Sequence, residues 1–272
     1  MPHRVDANPI ARNLSPMNGM TRAVIALLIA NVAVFAAGFL LPHGREQIIA
    51  AAALWYPASE HFQLWQVVTY MFLHADVSHI FFNMFALVSF GTILEREWGA
   101  GRFLVFYFLC GIGAGLVQLG VNWYEFSALH GRLVAAGMTP DAIQAMLASG
   151  RADLPAGAAV KQAAIDLFRI TIAPTLGASG AIYGLLVAFG FLHPNAKLAM
   201  MFIPVPIAAK YFIPILLAID LFSGVTGFSL FGGGVAHFAH VGGAVIGFLL
   251  MLFWRRRIKP NPYTPRPLGT PL

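Results

Sequence analysis

The chain alternates between long apolar runs and polar connections. Because roughly 20 apolar residues in a helix cross the hydrocarbon core of a bilayer, the pattern predicts an all-α, polytopic membrane protein with six transmembrane helices. The run in the fifth position is the shortest of the six. We expect the spans at about residues 23–41, 79–96, 102–120, 176–193, 211–225 and 235–254.

Segments outside the spans complete the predicted organisation. Residues 1–22 precede the first run, which lacks an A-x-A-like cleavage site and so indicates a retained anchor rather than a removed signal peptide. Residues 42–78 are rich in aromatic side chains, as is typical of the membrane–water interface. Residues 255–272 form a basic, proline-rich tail that we predict to be disordered.

The connection at 121–175 is an insertion of balanced charge. Thr139-Pro140-Asp141 is a good helix start and Gly150 a plausible stop. Residues 160–172 form a second amphipathic candidate, ended by a proline at 174. We expect both helices to lie on the outer membrane surface.

Composition agrees with a membrane protein. The chain is 58% hydrophobic and 10% charged, against about 25% charged residues in soluble domains, and its mean hydropathy is +0.73. The single cysteine, Cys110, lies inside a predicted span and excludes an intramolecular disulfide framework. The pI near 9.8 could suggest nucleic acid, but the basic residues are scattered beside the apolar runs. We therefore expect membrane lipids as partners and no nucleic acid.

The basic residues predict the orientation. If the N-terminus lies inside, the inner segments carry twelve of the 17 Lys and Arg and the outer segments carry five. Basic residues are enriched in cytoplasmic loops, so we expect both termini in the cytoplasm and a multi-pass protein of the cell membrane, the inner membrane of a bacterium.

Polar side chains from three predicted spans fall at one depth. Ser179 lies five residues after a proline and His240 six after a glycine. At about 1.5 Å per residue, both sit roughly 7–9 Å below the outer ends of their spans. His79 and Asn83 enter the second span from the same side. Because polar groups inside spans are expensive and usually functional, this layer predicts a site near the outer surface.

Glycine spacing predicts how two spans meet. Gly180 and Gly184 are four residues apart in the fourth span, and Gly243 and Gly247 are four apart in the sixth. Small residues at this spacing let helix backbones approach closely in a bilayer. We expect the fourth and sixth spans to pack through these glycines, which would bring Ser179 toward the histidine of the sixth span.

The residue types predict a Ser–His dyad. A serine hydroxyl such as that of Ser179 becomes a nucleophile when a neutral imidazole such as that of His240 takes its proton, and partial burial favours the neutral imidazole. Tyr183 shares the helix face of the serine and could steady the imidazole by ring contact. His79 and Asn83, four residues apart, could donate hydrogen bonds to an oxyanion.

Three further titratable residues stay outside the predicted dyad. Neither Asp76 nor Asp220 has a spacing that assigns it to the site, and a buried third carboxylate would cost free energy. His240 rather than His237 should be the base, because about 100° per residue places His240 on the glycine face and His237 toward its edge. We therefore expect His237 to meet water or the 223–234 loop.

Three segments resemble the rhomboid family of intramembrane serine proteases. They are H-A-D-V-S-H-I-F-F-N at 74–83, G-A-S-G-A-I-Y-G at 177–184 and A-H-V-G-G-A-V-I-G at 239–247, and the six-span layout extends the likeness over about 23–254. The resemblance implies a rhomboid-like bundle of six helices. In it Ser179 is the nucleophile, His240 the general base and Tyr183 the tyrosine near the base, with His79, Asn83 and the Ser179 backbone N–H as the oxyanion site.

The resemblance also implies what the protein acts on. Its substrates would be other transmembrane proteins, cut near the outer end of a membrane helix through an acyl-enzyme, with no metal or organic cofactor. Trp65 matches a tryptophan of the first outer loop and Glu95 a glutamate after the second span. The chain departs from the pattern at Gln66, where many members have arginine, and at Glu97, a position often basic.

Other classes of function compete with proteolysis. A metal or haem protein could use four histidines as ligands, but no H-E-x-x-H motif or cysteine cluster supports it, and it leaves the serine unexplained. An inactive rhomboid-like protein that binds membrane clients would typically lack the nucleophile or the base, and both are present. A transporter would need charged residues suited to an ion path inside the spans. The histidines of the metal hypothesis are His74, His79, His237 and His240.

Overall fold

The computed structural model describes residues 19–151, 154–155, 157–200, 203–228 and 236–254. The segment before residue 19 and the tail predicted at 255–272 lie outside the described residues. A 3₁₀ turn covers Tyr70–Phe72 and a π-helical turn covers Leu87–Gly91. Two antiparallel strands, β1 (Lys197–Met200) and β2 (Ile203–Ala208), form a hairpin before the helix that starts at Ala209.

The α-helices account for most of the described chain. In sequence order they are α1 (Arg22–Leu40), α2 (Gly44–Ala52), α3 (Gln66–Thr69), α4 (Val77–Ala86), α5 (Thr92–Trp98), α6 (Ala100–Ala135), α7 (Pro140–Ser149), α8 (Ala158–Ile172), α9 (Ser179–Leu192), α10 (Ala209–Thr226) and α11 (His237–Trp254).

The predicted all-α membrane bundle is confirmed. Within the described residues five helical stretches are long and apolar enough to cross a bilayer: α1, α4 running through the π-turn into α5, α6, α10 and α11. The remaining predicted span, the fourth in sequence order at about 176–193, is α9, an apolar helix of only 14 residues. The expectation that the fifth span is the shortest is therefore wrong, since α10 has 18 residues.

Helix α9 lies at the centre of the bundle, against α6 and α11. Its glycines meet those of α11, as predicted. A Cβ added to Gly243 would lie 1.9 Å from the carbonyl oxygen of Gly180, and one added to Gly247 would lie 2.7 Å from the Cα of Gly184. The two backbones are therefore in direct contact, and no side chain fits between them.

The start of α9 differs from the expectation. The helix begins at Ser179 rather than at residue 176, so counting helical rise from the preceding proline gives a wrong depth. The preceding chain is extended, with Thr175 and Leu54 exchanging backbone hydrogen bonds of 2.9 Å, and the Gly177 N–H donating to the Tyr70 carbonyl at 2.9 Å. Helix α9 therefore rises only about 21 Å at 1.5 Å per residue, and the backbone groups of the extended segment before it are paired with other parts of the protein.

The insertion is helical, as predicted. Its helical structure begins earlier than expected, because helix α6 continues to Ala135, beyond the predicted end of the third span at 120. The Thr139 hydroxyl caps α7 by accepting from the Ala142 N–H at 3.2 Å, and Gly150 ends α7 in the left-handed conformation. One buried apolar cluster joins the three helices; its members include Leu133 of α6, Ile143 of α7 and Leu167 of α8. The insertion therefore has its own small core, built on the polar extension of α6.

Glu95 fastens α1 to the rest of the bundle. Its buried carboxylate accepts from the Thr21 hydroxyl at 2.5 Å and from the N–H groups of Ala23 and Val24 at 3.0 and 2.9 Å. The first N–H groups of a helix have no partner within it, and an anion there is favoured by the helix dipole. A side chain distant in sequence thus caps α1.

The glycine contact yields a first prediction. Gly243→Ala places a methyl group against the Gly180 carbonyl, so the two helices must separate. We expect the free energy of unfolding to fall by about 3 kcal/mol or more. Gly120→Ala is the matched control, because nothing lies within 4 Å of its added Cβ and alanine is favoured in helices by about 1 kcal/mol. Thermal unfolding in detergent measures both; equal midpoints for the two variants would refute the close packing.

Candidate active site

Ser179 and His240 meet at the N-terminal ends of the two glycine-packed helices. Ser179 is the first residue of α9 and His240 lies in the first turn of α11. The hydroxyl Oγ of Ser179 is 2.7 Å from Nε2 of His240, which is hydrogen-bond distance. The predicted pairing of these two residues is therefore present, and it follows from the backbone contact just below it.

Tyr183 stacks on the imidazole of His240. The ring centroids are 4.3 Å apart and the planes differ by 12°. Tyr183 lies one helical turn after Ser179, so a single helix face presents both the hydroxyl and the supporting ring. The predicted ring contact is confirmed, and it restricts the movement of one face of the imidazole.

The expectation that no carboxylate accompanies the pair is wrong. Asp220 on α10 accepts at Oδ1 from Nδ1 of His240 at 3.1 Å, and its Oδ2 accepts a short hydrogen bond from the Tyr183 hydroxyl. Asp220 is buried, with 5% of the residue exposed. The expectation failed because it weighed the cost of a buried carboxylate and not the donors that surround this one. Its signal in the sequence was an acidic residue within a span, which is functional by default.

His237 also departs from its expected position. Instead of meeting water, it is 8% exposed and its Nδ1 is 2.6 Å from the same Oδ1 of Asp220. A carboxylate only accepts hydrogen bonds, so both histidines present Nδ1–H to it. Helix α10 packs against the start of α11 at this level, where Gly224 lies against Phe238. This packing closes the side on which water was expected.

His79 directs a donor at the serine. The Ala75 N–H donates to Nδ1 of His79 at 3.2 Å, so the proton of the neutral ring lies on Nε2. A Cβ added to Gly177 would lie 2.8 Å from that Nε2 and 3.6 Å from the Ser179 hydroxyl oxygen. Nε2 of His79 and the hydroxyl of Ser179 therefore border the same small space.

Asp76 belongs to the start of α4 and not to the catalytic pair. Its carboxylate accepts from the Ser78 hydroxyl at 2.6 Å and from the His79 N–H at 2.8 Å. The bond from Ser78 foremost, and then the bond from His79, hold the pKa of Asp76 below its usual value. By capping α4, Asp76 fixes the backbone of the residue that presents Nε2.

Asn83 lies one turn further along α4 than His79. It is 6% exposed, and its amide nitrogen has no hydrogen-bond partner among the described residues. An unpartnered buried N–H₂ costs about 1–3 kcal/mol, and a bound oxygen would satisfy this donor. The role of Asn83 as an oxyanion donor stays a prediction.

His74 stands behind His79 as a neutral ring. It is buried, its ring meets that of His79 edge to face at 5.0 Å, and burial lowers its pKa to about 3. The four histidines of the metal hypothesis do not converge as one ligand set in the described part of the chain. In this part of the chain, the residues whose possible ligand atoms lie within 4.8 Å of one another are Asp220, His237 and His240. Both of these histidines already form hydrogen bonds with the Asp220 carboxylate.

Gln66 anchors the loop between α2 and α3 in place of arginine. Its amide oxygen accepts from the N–H groups of Gln63 at 3.1 Å and Trp55 at 3.3 Å, and its amide nitrogen donates to the His61 carbonyl at 2.7 Å. The neighbouring Trp65 donates from its indole to the Ala51 carbonyl, in the last turn of α2, at 2.9 Å. A neutral, fully buried amide thus holds the loop backbone together.

Glu97 makes a contact at the opposite end of the bundle. Its carboxylate oxygen is 2.7 Å from Nε2 of His193, just past the end of α9. The departure at this position therefore has a partner, which ties the end of α5 to the end of the central helix.

Comparison with known proteins identifies one family. A family model for the rhomboid domain matches residues 61–257, more than half of the chain. Rhomboid-like protease 3 of Toxoplasma gondii is 31% identical over 103 residues, 36% of this chain and 39% of that protein. Rhomboid protein 1, mitochondrial, of Saccharomyces cerevisiae is 30% identical over 178 residues, which are 65% of this chain and 38% of that protein. Rhomboid protease AarA of Providencia stuartii is 26% identical over 251 residues, which are 86% of this chain and 73% of that protein. The matched part thus spans less than half the length of the first two relatives.

The loop anchor generates a second prediction. Gln66→Glu keeps the shape but turns an oxygen toward the carbonyls of His61, Ala50 and Ala51. We expect a penalty of about 1–3 kcal/mol, or roughly tenfold to hundredfold more frequent opening of the loop. Limited proteolysis within residues 53–65 measures this. Gln63→Glu, at an exposed position of the same loop, is the control; equal cleavage of both variants would contradict the anchoring role.

Proposed function

The chain belongs to the rhomboid family of membrane proteins, and on that premise we propose that it is an intramembrane serine endopeptidase. The observation that carries the proposal is the 2.7 Å contact between Ser179 Oγ and His240 Nε2. A hydroxyl in that contact can transfer its proton to the imidazole as it attacks a carbonyl carbon. A family member that only binds clients has no need of such a pair.

The reaction uses the pair twice. As Ser179 Oγ bonds to the scissile carbonyl carbon, His240 Nε2 takes the hydroxyl proton. It then gives that proton to the leaving amine as the carbon–nitrogen bond breaks, which leaves an acyl-enzyme. Water then attacks the ester, transferring a proton to Nε2, and Ser179 regains its hydroxyl proton as the new carboxyl end departs. No metal or organic cofactor enters any of these steps.

We propose three donors for the oxyanion of the tetrahedral intermediates. They are Nε2–H of His79, the amide nitrogen of Asn83 and the N–H of Ser179, which is one of the unpaired N–H groups at the start of α9. The unpartnered state of the Asn83 amide among the described residues supports this role. Donors fixed before the reaction are effective, because they need little reorganisation as charge develops.

We propose that the substrates are transmembrane proteins cut near the outer end of a membrane helix. A carbonyl within a helix is hydrogen-bonded and shielded, so the segment must unwind before Ser179 can reach it. Glycine and proline weaken helices by about 1 and 3 kcal/mol, and such residues near the scissile bond should favour cleavage.

The charge distribution supports an orientation with both termini in the cytoplasm and the site opening to the outside. We propose the bacterial inner membrane as the location. The likeness to a mitochondrial protein of yeast makes a mitochondrial membrane the second candidate. Fractionation of cells that produce the protein at native level distinguishes the two.

The nucleophile and base generate a third prediction. Ser179→Ala and His240→Ala should each lower cleavage of a transmembrane substrate by several orders of magnitude, as in other serine hydrolases. A fluorophosphonate probe should label the wild-type protein at Ser179. Ser89→Ala is the control, because that hydroxyl donates to the Phe85 carbonyl one turn earlier in its own span. Full activity of Ser179→Ala, or loss of wild-type activity with a chelator, would overturn the serine mechanism.

The oxyanion donors generate a fourth prediction. His79→Ala and Asn83→Ala should each lower the rate by about 100- to 1,000-fold, the usual effect of removing one such donor. Asn83→Asp, which replaces the donor by an acceptor of the same shape, should be at least as slow. Thermal midpoints of the purified variants control for folding. Rates near wild type for the folded alanine variants would place the oxyanion site elsewhere.

A further inference from the structure

Asp220 is an acidic residue inside a membrane span, and the Ser–His mechanism leaves it without a task. A carboxylate at such a place costs several kcal/mol unless it is paired and hydrogen-bonded. Here three donors surround it: Nδ1–H of His237 at 2.6 Å, Nδ1–H of His240 at 3.1 Å and the hydroxyl of Tyr183. These donors replace the lost water, and two of them come from the site itself.

The contact with His240 bears on which nitrogen carries the proton. A neutral imidazole has one N–H, and a ring with Nε2–H could not accept the serine proton. The oxygen of Asp220 lies beside Nδ1 and can only accept, so it favours the Nδ1–H tautomer and leaves Nε2 free toward Ser179. Without the carboxylate, the two tautomers and other ring orientations compete.

The same contact bears on charge. When Ser179 attacks, His240 becomes an imidazolium ion within the membrane domain. An opposite charge about 3 Å away stabilises this ion strongly where the effective dielectric constant is low. His237 and Tyr183 hold the two oxygens of the carboxylate in place, so the negative charge is already positioned before the proton moves.

We propose that Asp220 is a positioning residue of the proposed protease, so that the site works as Ser179–His240–Asp220 and not as an isolated dyad. The proposal rests on the proposed function. It assigns to α10, which supplies no residue to the pair, the task of orienting the base. His237 takes part as a second donor to the carboxylate and not as an alternative base.

The test is the variant Asp220→Asn. Its amide oxygen can still accept from both histidines, but the negative charge is gone. We expect kcat/KM to fall by about 100-fold or more, toward the roughly 10,000-fold loss known for the corresponding change in a soluble serine protease. We also expect the acid limb of the pH–rate profile to move to lower pH, because the imidazolium loses its counter-charge. A merely structural role would lower the rate without moving this limb.

Asp141→Asn is the matched control, since that carboxylate is exposed on α7 of the insertion; its rate and pH profile should equal those of the wild-type protein. An unchanged rate and profile in folded Asp220→Asn would overturn the triad while Ser179→Ala still tests the protease itself. A wild-type protein that neither cleaves nor reacts with the fluorophosphonate would instead refute the proposed function.

A second measurement decides the matter if Asp220→Asn fails to fold. In the wild-type protein with ¹⁵N-labelled histidines, the resonances that vanish in His240→Ala belong to His240. We expect them to show a protonated Nδ1 and an unprotonated Nε2 at neutral pH. A His240 ring with its proton on Nε2 would overturn the proposal.

Discussion

The contact of two helix backbones through glycine is the constraint on which the site depends. Gly180 and Gly184 of α9 lie directly against Gly243 and Gly247 of α11. In a bilayer, helices gain little free energy from burying apolar surface against each other. Close packing of small residues stabilises their association instead. The contact lies within two helical turns of the serine and the histidine, so the close approach of the two backbones brings hydroxyl and imidazole together.

Sequence patterns predicted what lies on the faces of these two helices. The four-residue glycine spacing showed which face of α9 and which face of α11 pack together. From these faces His240, rather than His237, was correctly expected to point at the serine. No such marker exists on α10, whose glycine at 224 stands alone near its end. Because the sequence did not show which face of α10 packs against the bundle, Asp220 could not be assigned to a neighbouring helix. A carboxylate among apolar residues was nevertheless a signal.

Two further features depended on contacts between distant segments. The start of α9 is fixed by Leu54 and Tyr70, which belong to a much earlier part of the chain, so local signals placed it too soon. The same reason applies to two buried polar side chains. Glu95 and Gln66 each bind backbone groups of other segments, so their sequence neighbourhoods show that they are unusual without showing what they hold.

The neutral character of Gln66 has a consequence for how the loop between α2 and α3 responds to salt. An arginine at this place would carry a fixed positive charge, and its interactions would vary with ionic strength. An amide bonded to the backbone groups of Trp55, Gln63 and His61 has no such dependence. The backbone around Gln66 is thus held by hydrogen bonds between neutral groups, which dissolved ions screen little.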